Sequence, residues 1–147
     1  MEDKQYFETF CAQETFELGR KLGENARPGQ IYALDGDLGT GKTVFAQGFA
    51  AGLGVDDYVN SPTFTILQVY EDGRLPLYHF DVYRIEEPEE MEEIGYEEYF
   101  FSDGVCLIEW AQLIEPLLPP GTIRVNLCKV PQAGADHRKI SISGATR

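Results

Sequence analysis

Positive charge is what this chain has least of. Of its 147 residues, 12 are Lys or Arg against 25 Asp or Glu, for a formal net charge of -13. A nucleic-acid backbone is gripped by clustered cations, so this balance argues against direct hold on RNA or DNA. It favours a basic protein partner or a purely small-molecule role. Cysteine is also sparse. Cys11, Cys106 and Cys128 are odd in number and widely spaced, with no C-x-x-C and no Cys/His cluster. Neither a disulfide framework nor a zinc site is supported. No stretch approaches the ~20 apolar residues of a membrane span. The opening Met-Glu-Asp-Lys-Gln lacks the apolar run of a signal peptide. The expected setting is soluble, reducing and cytoplasmic, with no membrane association. Repeats, low-complexity tracts and interdomain linkers are missing too, so residues 1–147 are expected to form a single domain. Hydrophobic content of 43% and aromatic content of 12% suffice for a folded core.

Against these absences one stretch stands out. Gly36 to Thr43 reads Gly-Asp-Leu-Gly-Thr-Gly-Lys-Thr and fits G-x-x-x-x-G-K-[ST] at every fixed position. Glycines permit φ > 0, so successive backbone N–H groups of Asp37, Leu38, Gly39, Thr40 and Gly41 can turn inward around phosphate oxygens. Lys42 adds a point charge for the β- and γ-phosphates, and the Thr43 hydroxyl is a magnesium ligand. A glycine-rich turn that only joins strand to helix is the competing reading, and the flanks decide against it. Gln30 to Asp35 reads as a short strand, and Val44 to Leu53 reads as a helix ended by Gly54.

Elsewhere, Gln5–Phe10 suits a first strand. The stretch Ala12–Asn25 carries Thr15, Leu18, Gly19 and Leu22 on one helical face, with Cys11 at the cap and Glu14 after it. A strand through Tyr70, a turn at Glu71–Arg74 and a strand over Leu75–Tyr83 read as a hairpin. Alternation in the second strand puts Leu77, His79, Asp81 and Tyr83 on one side, a solvent face or a functional one. Glu86–Glu98 holds eight glutamates and reads as a solvated helix face or a dock for a basic partner. Val105–Ile108 is a short apolar run consistent with a buried parallel strand ending at Glu109. Ala111–Leu118 reads as a helix, and Thr122–Val130 and Arg138–Ser143 as closing strands. The fold class expected is α/β: a single P-loop NTPase domain with a mixed, largely parallel sheet flanked by helices.

A P-loop binds phosphates but needs a metal-linked carboxylate and a group to place water before it hydrolyses them. Glu109, ending an apolar strand, is the candidate for the metal, because ligands in open α/β sheets sit at the carboxyl ends of strands. Asp81 is the second carboxylate, suited to orienting the attacking water or holding magnesium, with His79 either tuning it or serving as a hydrogen-bonded structural residue. Arg84 could reach the phosphates or form a surface salt bridge. Ser61 and Thr63 sit where a nucleotide-sensing loop could order.

These motifs together resemble the TsaE (YjeE) family of bacterial ATPases: the P-loop, Ser61-Pro62-Thr63-Phe64, His79-Phe80-Asp81-Val82-Tyr83-Arg84 and Leu107-Ile108-Glu109-Trp110. Glu14-Thr15 with Leu18-Gly19, and Gly95 to Tyr99, fit the same pattern. The resemblance implies an ATP- and Mg²⁺-dependent ATPase that serves a TsaB–TsaD complex in threonylcarbamoylation of adenosine 37 of ANN-decoding tRNAs. It implies that tRNA is met only through those partners, and that DNA is not a ligand. It carries over Lys42, Asp81 and Glu109 as catalytic, Thr43 and Glu109 as metal ligands, and Asp37 to Thr43 with Thr15 and Thr63 as nucleotide contacts. Two other classes stay open. A small-molecule kinase would need lid arginines, which are scattered here, and a nucleotide-dependent switch would bind with negligible turnover. A GTPase is disfavoured because no N/T-K-x-D motif occurs.

Overall fold

The computed structural model describes residues 4–36, 41–55, 66–130, 134 and 136–144. In chain order the regular elements are β1 (Lys4–Thr9), α1 (Ala12–Asn25), β2 (Ile31–Gly36), α2 (Lys42–Gly52), β3 (Leu67–Tyr70) and β4 (Leu77–Asp81). They continue with a 3₁₀ segment (Pro88–Ile94), α3 (Tyr96–Phe100), β5 (Val105–Glu109), a second 3₁₀ segment (Ala111–Leu117), β6 (Ile123–Lys129) and β7 (Arg138–Ser143). All seven strands form one sheet in the order β1-β7-β6-β2-β5-β4-β3. Its centre, β6-β2-β5-β4, is parallel. Antiparallel pairs finish it on both sides, β7 and β1 beyond β6 and β3 beyond β4. This is the α/β class the sequence implied.

Parallel strands covered on both faces read as continuous apolar runs, and β5 is buried at every position. On one face α1 and α2 pack over Leu34, Leu77, Leu107, Val125 and Ile140, with Phe45 and Phe49 at the centre of the layer. On the other, Met91, Phe100 and Ile114 from the shorter helices close over Ala33, Phe80 and Ile108. Two helical expectations are corrected here. Glu86–Glu98 is not one helix. Pro88 starts a 3₁₀ segment, Gly95 breaks it at φ +69°, and α3 follows. Part of the glutamate content is local: the Glu90 carboxylate accepts the N–H groups of Glu86 and Glu87 at 2.8 Å, one half of a capping box. The stretch after Trp110 is likewise 3₁₀, kinked at Ile114 and carrying Pro116 inside it. At Cys11 the thiol makes no cap. Glu14 instead accepts the Phe10 N–H at 2.7 Å.

α1 and α2 meet backbone to backbone along a seam of four glycines. A Cβ on Gly19 or Gly23 would fall inside contact distance of the Phe45 or Phe49 carbonyl. One on Gly48 or Gly52 would meet the Phe16 or Arg20 carbonyl in the same way. Helix propensity alone predicts that Gly48→Ala stabilises α2. The seam predicts the reverse: a loss of about 2–3 kcal/mol from forced separation of the helices, read by urea denaturation. Gly95→Ala, where open space surrounds the added methyl, should cost only about 1 kcal/mol for its left-handed backbone.

Candidate active site at the carboxyl ends of the parallel strands

β2, β5 and β4 are adjacent and parallel, so their carboxyl ends finish side by side. Leu34 pairs with Glu109, and Glu109 pairs with Asp81. Leu77 and Leu107 pack into the α1/α2 layer. The two-residue period of a strand therefore turns His79, Asp81 and Glu109 toward that same side. α2 begins there. Its N-cap, Gly41, has φ +97°, a conformation that favours glycine, and Lys42 and Thr43 open the helix. The N–H groups and positive dipole end of a helix N-terminus suit an anion.

The Lys42 side chain is buried, and its ammonium lies 3.7 Å from the centre of the Trp110 ring. Trp110 in turn packs on Tyr83, with ring centroids 4.8 Å apart. Among the described residues it alone of the non-glycines has a positive φ, +63°, a strain of about 1–2 kcal/mol. On the β2 side of this turn the Asp35 carboxyl is partly buried, and burial raises its pKa. Thr43 is exposed at the helix start. Glu109 is 2% exposed. Asp81 is half-buried and accepts the Tyr83 N–H at 3.0 Å through Oδ1. Burial raises its pKa and the Glu109 carboxylate raises it further, while the Tyr83 N–H and Lys42 only partly offset this.

Lys42, Thr43, Asp81 and Glu109 are thus gathered at one edge of the sheet. His79 takes the hydrogen-bonded structural reading. Its side of β4 is not a solvent face, because the helical layer covers it, and the ring is fully buried. Its hydrogen bond runs to Glu109, Nε2 to Oε2 at 2.7 Å, rather than to Asp81. Thr15 lies beside Gly41, but its hydroxyl is hydrogen-bonded to that of Thr9 at 2.7 Å. Asp37, Leu38, Gly39, Thr40, Ser61 and Thr63 lie outside the described residues. Sequence reasoning missed the Lys42–Trp110 stack, which no local pattern signals. A cavity of about 520 Å³ lies at the opposite end of β2, but among the described residues lining it only Arg27 is charged. It offers no acid–base pair.

A family profile described as "Threonylcarbamoyl adenosine biosynthesis protein TsaE" matches residues 10–140. The chain is 48% identical over 135 residues to the tRNA threonylcarbamoyladenosine biosynthesis protein TsaE of Bacillus subtilis, covering 92% of this chain and 82% of that one. To the protein of the same name from Treponema pallidum it is 43% identical over 116 residues, covering 79% and 85%. The fold is similar to the crystal structure of Bacillus subtilis YdiB, with a TM-score of 0.84 and 40% identity, covering 98% of this chain and 87% of that one.

The raised pKa of Asp81 gives a test with a definite sign. Between the ordinary aspartate value, ~3.9, and the raised one, the native state holds more protons than the unfolded state, so stability falls as pH rises through that window. Asp81→Asn removes this cost. The variant should melt at a higher temperature than the parent at pH 7, with the advantage vanishing below the ordinary aspartate pKa. A carboxylate held for stability would give the opposite result in a pH series of thermal melts.

Proposed function

This chain belongs to the TsaE family of threonylcarbamoyl adenosine biosynthesis proteins, and from that premise we propose that it is a magnesium-dependent ATPase supporting a TsaB–TsaD complex. Its part in tRNA threonylcarbamoyladenosine biosynthesis comes with the family. The substrate nucleotide, the metal and the partners are our reading. One observation carries it: Asp81 and Glu109 stand paired at the ends of adjacent parallel strands, on the side where α2 begins with Lys42 and Thr43.

The donor set suits a magnesium nucleotide, with hard oxygens on Thr43, Glu109 and Asp81 beside a helix N-terminus and a buried ammonium. In this reading the α2 N–H groups and Lys42 bind the β- and γ-phosphates, and Thr43 and Glu109 hold the metal. When bound, magnesium would neutralise charge on the transferred phosphoryl group. Asp81 receives a proton from the attacking water. Burial and the neighbouring Glu109 make it a stronger base than a free aspartate. The net charge of -13 suits a division of labour in which partners hold the tRNA. No described helix is long and apolar enough to cross a membrane, and a role in tRNA modification supports our cytoplasmic assignment.

Phosphate release by the chain alone should be slow and should rise at least about tenfold with TsaB–TsaD and tRNA. Unchanged release on adding that complex would overturn the partner-activated reading, and labelled phosphate on a metabolite would point to a kinase. Lys42→Ala should abolish nucleotide binding. Asp81→Asn and Glu109→Gln should each lower turnover by about 10²-fold or more while the chain still binds ATP. Normal turnover in both would remove these two carboxylates from the mechanism.

A further inference from the structure

Leucine, valine and phenylalanine fill most of the layer between the sheet and α2, and an imidazole in it needs a reason. His79 is 0% exposed and stands between Leu77 and Asp81 on β4. Burying its polar ring is costly unless its nitrogens are hydrogen-bonded. Among the described residues Nδ1 has no hydrogen-bond partner, whereas Nε2 lies 2.7 Å from Glu109 Oε2. An ionised carboxylate only accepts hydrogen bonds, so Nε2 carries the proton and donates it. The ring therefore makes its described polar contact with one oxygen of one carboxylate, the one at the end of β5.

We propose that His79 is a positioning residue, fixing the Glu109 carboxylate in the orientation its role at the metal requires. The inference rests on the hydrolytic reading of Glu109 given above. Its physical basis is side-chain length. Glutamate has one more rotatable bond than aspartate, the residue more usual at this strand end, and so reaches further with less definition. A buried N–H aimed at one oxygen removes that freedom before any ligand arrives. Groups that orient metal-binding side chains in this way typically change metal affinity or activity by about 10–100-fold when removed.

The test compares His79→Leu, His79→Gln, Glu109→Gln and the His79→Leu/Glu109→Gln pair in the full chain. Turnover is measured, together with affinity for ATP in the presence and absence of Mg²⁺. His79→Leu should lower turnover about 10–100-fold and shrink the Mg²⁺-dependent part of ATP affinity by a similar factor. Mg²⁺-free affinity should stay within about twofold. His79→Gln, which keeps an N–H donor, should recover most of both losses. In the Glu109→Gln background His79→Leu should add little, because the group it positions is already altered.

Full additivity of the two substitutions, or a glutamine variant no better than leucine while equally folded, would overturn the proposal. A measurement on the ligand-free parent guards against a leucine variant that fails to fold. Imidazole ¹⁵N NMR should place the His79 proton on Nε2, with a signal that moves in Glu109→Gln, and a proton on Nδ1 would overturn the assignment. If Glu109→Gln leaves turnover and Mg²⁺ dependence intact, the hydrolytic reading fails and this inference falls with it. If Glu109→Gln is impaired and His79→Leu is not, only the inference on His79 falls.

Discussion

Parallel pairing of β5 with β2 on one side and β4 on the other is the constraint on which the site depends. Strands that run the same way end at the same edge of the sheet, so residues far apart in the chain finish as neighbours without any contact being specified locally. Glu109 thereby faces Asp81 across one strand gap and Leu34 of the P-loop strand across the other. The same pairing buries β5 on every side, so a carboxylate there is expensive unless hydrogen-bonded. The His79 N–H supplies such a bond. Site and core are therefore parts of one packing arrangement.

The position of α2 depends on a second constraint, the close approach of α1. Side chains at the four seam positions would push the helices apart and lift the start of α2 away from the strand ends. The far end of α1 is held by a residue from another element. No basic residue stands in its last turn, and the Arg74 guanidinium instead donates to the carbonyls of Gly23, Glu24 and Ala26 at 2.7, 2.9 and 2.8 Å. That bond set satisfies orphan carbonyls with a cation at the negative end of the helix dipole. It also ties the β3–β4 turn to the α1–α2 pair.

Much of this was legible because the patterns involved are local. The P-loop spacing, the apolar run ending at Glu109 and the alternation that carries Asp81 are short-range signals, and the structure brings Lys42, Glu109 and Asp81 to one edge of the sheet. The Glu86–Glu98 segment misled because its glutamate content was read without weighing Pro88 and Gly95, which set the backbone there. The solvent-face reading of β4 failed for another reason. Alternation says which residues share a face but not whether that face meets water or the helical layer.

By itself the sequence determined the family resemblance and named the residues suited to holding phosphate, since the spacing of the loop glycines, lysine and threonine is a local pattern. It also determined which carboxylates end strands. Only the tertiary structure decided which groups meet. His79 and Glu109 are 30 residues apart, and Lys42 reaches Trp110 from a helix on one face of the sheet to a turn beyond β5. Those contacts follow from the strand order β2-β5-β4, and strand order is set by how whole faces pack, which no local pattern encodes.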